Sequence, residues 1–102
     1  MPQNKRIIFS EELQAQARFA QVMCHPARIE IFKLLNQYEF LLCSEFVDFL
    51  PYTQTGVSHH LEVMLCAKLI ARVQKFDTVG YSLDINGCSL AKESLQKLIS
   101  IL

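Results

Sequence analysis

Hydrophobic and polar positions alternate with a helical period over most of the chain and switch to a strand-like period once. Ser10 is a candidate N-cap, and Glu11 and Glu12 follow in the first turn, where the helix dipole favours them. From there Leu13, Ala17, Ala20 and Cys24 fall on one face of a helix, and Ala15, Phe19, Val22 and Met23 on roughly the opposite one. A helix that is apolar on two sides has two partners. His25-Pro26 interrupts the pattern and starts a second helix, since proline suits the first helical position. Ile29, Ile31, Phe32, Leu34 and Leu35 give it a broad buried face, ending near Asn36-Gln37. Phe40 to Cys43 reads as an apolar connector. Ser44 then caps a short helix, Glu45 to Leu50, with Phe46, Val47, Phe49 and Leu50 inward, and Pro51 ends it. Thr53 caps a fourth helix running to about Ala67.

After Lys68 the period changes. Leu69 to Lys75 and Val79 to Asp84 alternate loosely and are rich in β-formers, with Phe76-Asp77-Thr78 between them and Gly80 relaxing the return strand. That predicts a β-hairpin. Asn86-Gly87 breaks the strand, and Ser89 caps a last helix to Leu102 whose apolar residues cover about half its circumference. That is wider than one packing stripe needs. The first and last helices are therefore the expected interface of a homodimer. The fold class that follows is mainly α with a two-stranded wing: five helices, a winged helix-turn-helix, and one domain over residues 1–102.

Composition adds exclusions. Of 102 residues, 51% are hydrophobic and 20% charged, which supports a packed globule rather than disorder. Ten Lys+Arg balance ten Asp+Glu, so net charge points to no class of partner. No apolar run approaches the roughly 18–20 residues of a membrane span, and the basic start MPQNKRIIF lacks the apolar core of a signal peptide. The expected location is cytoplasmic. Lys5 and Arg6 read as a solvated tail rather than a DNA-contacting arm. Four cysteines, Cys24, Cys43, Cys66 and Cys88, include no CxxC pair, and the reading is reduced, mostly buried thiols with no metal site or cofactor.

On a helical wheel Val57, Leu61, Met64 and Leu65 share the core side of the fourth helix. Thr55, His59, Glu62 and Cys66 lie on the far side, Ser58 and His60 on its flanks, and Gln54 at the start. That far side is what a recognition helix presents to the major groove, and Thr, Ser, Gln and His suit base edges and phosphates. Within it, His59 has the stronger claim to DNA and His60 packs or touches phosphate. His25 is read as an N-cap or a buried hydrogen-bond partner. Arg28 holds either a carboxylate in the core or a phosphate. Cys66 with His59 or His60 lacks the third, orienting group of a catalytic set, so no enzyme is expected.

Two stretches carry a family resemblance. FAQVMCHPARIEIFKLL (19–35) is similar to the His-Pro-x-Arg-x-x-Ile-x-x-Leu-Leu helix of the ArsR family of bacterial winged-helix regulators. TQTGVSHHLEVMLCAKLI (53–70) resembles its recognition segment, Ser-Gln-x-x-Val-Ser-x-His-Leu. The resemblance covers roughly residues 10–100. It implies a homodimeric repressor on an inverted-repeat operator of double-stranded DNA, relieved by a metal or another signal. By position it assigns DNA contact to Gln54, Thr55, Ser58, His59 and His60, and the wing's basic strand and tip to Arg72 and Lys75.

The departures are specific. Where the family's thiolate metal site has Cys-Val-Cys-Asp-Leu, this chain has Leu42, Cys43, Ser44, Glu45 and Phe46. The last helix has no histidine and Glu93 as its one carboxylate, so the family's other metal site is absent too. The sulfur-responsive pattern is incomplete, with Leu35 and Asn36 where its first cysteine would stand. The family glycines before the hairpin and in the wing are here Lys68 and Phe76. The route left open to redox sensing is a pairing of Cys24 with Cys88. The competing function is a winged helix that only dimerises or binds a partner protein, favoured by the neutral charge, Glu62 and the Arg-poor wing.

Overall fold

The computed structural model describes residues 8–102; Lys5 and Arg6 lie outside them. The elements run α1 (Glu11–Val22), α2 (Pro26–Tyr38), α3 (Cys43–Phe49), α4 (Gln54–Cys66), β1 (Ile70–Lys75), β2 (Thr78–Leu83) and α5 (Ile85–Ser100). This is the five-helix, one-hairpin order that the pattern predicts. Ser10 caps α1, its hydroxyl accepting from Leu13 N–H at 3.2 Å. His25 caps α2, with Nδ1 accepting from Ala27 N–H at 3.1 Å, and Pro26 opens the helix. Thr53 caps α4 through Gly56 N–H at 3.2 Å.

Phe46 of α3, Ile31 and Leu35 of α2, Val57, Leu61 and Met64 of α4, and Leu69 and Ile70 at the hairpin base fill the centre. Each such side chain removed from water contributes about 1.5–3 kcal/mol. The core stripe of α4 is the predicted one, with Leu65 at its edge. α1 lies along α5, and Lys97 joins the two through Glu12 at 3.0 Å.

Several local expectations are corrected. α1 stops at Val22, so Cys24 lies beyond its end. α2 runs on to Tyr38, and Ile29 is exposed: it sits 200° from Ile31 on the wheel, and a single stripe cannot take both. α3 begins at Cys43, not Glu45. Its first turn is closed by the Glu45 carboxylate accepting from Leu42 N–H at 2.8 Å, which leaves Ser44 inside the helix. Phe49 faces out against Tyr38, their ring centroids 5.3 Å apart. α5 is capped by Asp84, whose carboxylate accepts from Gly87 N–H at 2.9 Å, so Asn86-Gly87 and Ser89 fall within the helix. The cysteines are free thiols, but Cys24 and Cys66 are exposed, and Cys43 and Cys88 only half-buried.

The hairpin pairs antiparallel from Ile70 opposite Leu83 to Lys75 opposite Thr78. Its loop is Phe76-Asp77. Leu41, in the connector before α3, bridges to Tyr81, with Leu41 N–H to Tyr81 C=O at 3.1 Å and the return bond at 2.8 Å. Gly80 makes that approach possible. A Cβ there would stand 2.8 Å from the Leu41 carbonyl oxygen and closer still to the Phe40 ring. Gly87 serves the same end, because a Cβ would overlap the Lys68 carbonyl. Lys68 and Phe76 sit at φ 61° and 56°, the left-handed region that glycine adopts freely. The two positions where the ArsR pattern has glycine thus both have a backbone that suits it; among the described residues Glu39, at φ 65°, is the third non-glycine in that region.

Candidate nucleic-acid interface

α3 and α4 are joined by the four-residue turn Leu50–Thr53, and the Thr53 cap fixes where α4 begins. With Val57, Leu61 and Met64 pinned in the core, the opposite side of α4 faces solvent. Gln54, Thr55, Ser58, His59 and Glu62 are all exposed there. Among the described residues the side chains of Gln54, Thr55 and His59 have no hydrogen-bond partner, so their donors and acceptors are available to a ligand. The Ser58 hydroxyl lies 3.6 Å from the Cys43 thiol, a contact that links α4 to α3.

His60 is different. It is 7% exposed, which sets it apart from the solvent-facing surface that Gln54, Thr55, Ser58 and His59 share. Its Nδ1 accepts from Arg28 Nε–H at 3.2 Å. Its ring lies 4.3 Å from His25 and 5.9 Å from Tyr52, centroid to centroid. Of the two roles weighed for His60, packing is the one the geometry gives it. Arg28 holds neither a carboxylate nor an outward position: besides His60 it donates Nη1–H to the Val22 carbonyl at 3.1 Å. Burial pushes the His60 pKa below the ordinary histidine value, and the positive charge of His25, Arg28 and His59 pushes it the same way.

On the wing, Arg72 is exposed but tied to Glu62 of α4 by a 3.4 Å ion pair. The Lys75 ammonium lies 4.4 Å from the centroid of the Phe40 ring, a cation–π contact that holds the base of the wing tip. Phe76 stands fully clear of the protein at the tip. Sequence reasoning marked Phe76 only as a lost glycine. An aromatic in the two-residue loop of a wing is itself the signal, because nothing in a hairpin tip can bury it.

The cysteines are occupied locally. Cys24 Sγ donates to the Gln21 carbonyl at 2.8 Å and Cys88 Sγ to the Leu69 carbonyl at 3.2 Å. Burial, then the Asp84 carboxylate, raise the Cys88 pKa, which lowers its thiolate fraction and hence its reactivity. The Cys66 thiol lies 3.7 Å from the Glu62 carboxylate. Among the described residues no three His, Cys, Asp or Glu side chains gather as a metal site would require. No helix among them is long and apolar enough to cross a membrane.

No protein-family model and no curated protein matches the sequence. Solved structures do match. Rv0081 of M. tuberculosis superposes with a TM-score of 0.67 at 22% identity, over 90% of this chain and 96% of that one. A protein described as a possible transcriptional regulator for arsenical resistance gives 0.67 at 19% identity, over 83% and 96%. The transcriptional repressor PagR of Bacillus anthracis gives 0.64 at 26% identity, over 78% and 92%. These likenesses bear out the winged-helix fold, and the resemblance to the ArsR family holds in three dimensions as well as in the two motifs.

Proposed function

We propose that this chain, a winged helix of the ArsR type, is a homodimeric transcriptional regulator, a repressor, that binds an inverted-repeat operator in double-stranded DNA. The observation that carries the reading is the outer face of α4. Gln54, Thr55, Ser58 and His59 are exposed together on the second helix of a helix-turn-helix, with a hairpin bearing Arg72 and Lys75 beside it. Such a helix reads base edges in the major groove while the wing's cations meet phosphate. Two structures of similar fold are described as a repressor and a transcriptional regulator, which supports the same class.

Dimerisation is supported by apolar side chains that stand exposed among the described residues. Leu13 on α1 and Leu90, Ile99 and Ile101 on or just after α5 are 50–76% exposed. Ile99 also lines an apolar groove of about 410 Å³ between α1, α2 and α5. Patches of this kind mark interaction surfaces. Two copies joined through α1 and α5 present two recognition helices, which is what an inverted repeat matches.

The test is fluorescence anisotropy of a labelled duplex from the gene's own promoter region, read against salt, with sedimentation of the free protein. Gln54→Ala and His59→Ala are expected to lose about tenfold to a hundredfold in affinity, since a base contact is worth on the order of 1–3 kcal/mol. Lys75→Ala weakens all sequences alike and flattens the salt dependence. A monomer at micromolar concentration overturns the dimer, and unchanged affinity in both α4 variants overturns the assignment of the face. The zero net charge and Glu62 on the groove side favour a second reading, a winged helix that binds protein; that reading gains if no duplex binds at low salt.

A further inference from the structure

The apolar stripe of α4 fixes its depth in the core but not its direction. Val57, Leu61 and Met64 are packing contacts without orientation. Orientation needs directional bonds, and among the described residues the buried one on α4 comes from Arg28. This side chain leaves α2 and makes two bonds, Nη1–H to the carbonyl of Val22, the last residue of α1, and Nε–H to His60 Nδ1 on α4. One guanidinium therefore ties three helices at a single point. His60 adjoins His59 in sequence, so a shift at this point moves the outer face directly.

We infer that Arg28 and His60, seated against His25, are positioning residues that set the direction of the recognition helix, and that a proton on His60 releases it. The inference rests on the DNA-binding reading of α4 for its functional consequence and on the geometry alone for the joint.

The Arg28 bond uses the lone pair of Nδ1, which exists in the neutral ring with its proton on Nε2. A second proton on Nδ1 would set N–H against N–H and put an imidazolium beside a guanidinium. The groups around the ring cannot offset that charge. His25 packs from the start of α2 at 4.3 Å, Tyr52 from the α3–α4 turn at 5.9 Å, and His59 from α4 itself at 5.6 Å. Arg28 comes from α2, and α1 contributes only the Val22 carbonyl, already occupied by Arg28. Among the described residues the charges acting on His60 are those of His25, Arg28 and His59, all basic, with no carboxylate. A histidine without a counter-ion, holding a bond that only its neutral form can make, responds to acid by letting go.

The experiment uses the full chain. Imidazole signals and amide-exchange protection along α4 are followed by NMR from pH 7.5 to 5.5, beside anisotropy on the promoter duplex at each pH. Wild type is compared with His60→Asn, whose Oδ1 keeps an acceptor near Nδ1 but does not titrate. His59 is present in both, so its own charge cancels in the comparison. Protonation of His60 is expected to lower protection along α4, and operator affinity falls about tenfold in wild type relative to His60→Asn. Arg28→Gln, a neutral amide donor, moves the midpoint to higher pH, because it removes a fixed positive charge. Parallel pH profiles of wild type and His60→Asn overturn the inference. So does protonation of His60 without loss of protection in α4, or loss of protection without loss of affinity. If α4 responds as expected while no duplex binds at any pH, the joint stands and the DNA-binding reading falls.

Discussion

Replacing Glu62 with Gln should strengthen binding to DNA, and the structure sets the size of the gain. Glu62 is the one acidic side chain on the outer face of α4, and it faces Arg72 of the wing across 3.4 Å with both side chains about three-fifths exposed. In water two charges at that spacing attract by about 1 kcal/mol, and exposed pairs measure about 0.2–1 kcal/mol. Losing the pair therefore costs the fold under about 1 kcal/mol. On DNA the balance reverses. Glu62 repels phosphate and occupies the cation that would neutralise it. Glu62→Gln frees Arg72 for one further phosphate, which steepens the slope of log affinity against log salt by about 0.9. At low salt the affinity should rise by up to about fivefold, the equivalent of roughly 1 kcal/mol. The assay is anisotropy of the promoter duplex at four or five salt concentrations, with Arg72→Ala and the double variant completing a cycle. The gain should shrink when Arg72 is absent. Weaker binding with an unchanged salt slope would refute this reasoning and identify Glu62 instead as a reader of a base, accepting from a cytosine amino group.

Three further outcomes are expected. Lys68→Gly should stabilise the fold: a side chain at φ 61° costs about 1–2 kcal/mol, glycine returns about 0.5–1 kcal/mol of that as chain entropy, and Tm should rise by about 3–6 °C, while Lys68→Ala gives no gain. A thiol reagent followed by mass spectrometry should label exposed Cys24 and Cys66 well before Cys88, whose pKa is raised by burial and Asp84; equal rates would show that Cys88 is more open than its surroundings allow. Since the His60 pKa is lower folded than unfolded, the unfolded chain takes up that proton first, and stability to urea should fall as pH drops from about 6.5 through the folded value, a part of the pH dependence that His60→Asn removes.

Periodicity placed the elements and most of the core, but not every residue of a stripe: Ile29 and Phe49 were read inward and are exposed. The 3.6-residue stripe of α4, the switch to strand period after Lys68 and the Ser10, His25 and Thr53 caps were all legible, because each is a local preference that the fold does not override. The misses have one character. Ser89 and Ser44 lost the capping position to Asp84 and Glu45, side chains whose advantage depends on where the preceding strand or connector arrives. Phe49 lies outside the core against the ring of Tyr38, a pairing that no spacing reveals. On the candidate site, the outer-face residues of α4 were readable from the wheel. The burial of His60 was not: it sits on the flank, where Arg28 from 32 residues earlier decides the matter. The two motifs that carried the family resemblance, the His-Pro-x-Arg turn and the Ser-His-His segment, turn out to touch each other.

The bridge from Leu41 to Tyr81 makes the wing a fixed arm. A two-stranded hairpin standing alone is marginal in water. Here its return strand is stitched to the connector that enters α3, with Gly80 leaving no slack between them. The tip and the recognition helix are consequently two points on one rigid caliper. On the DNA-binding reading of α4, such a caliper would measure distance along a duplex as well as sequence within it. In that reading a base pair inserted between the segment under α4 and the segment under the wing would leave one of the two contacts out of reach, however well each is satisfied alone.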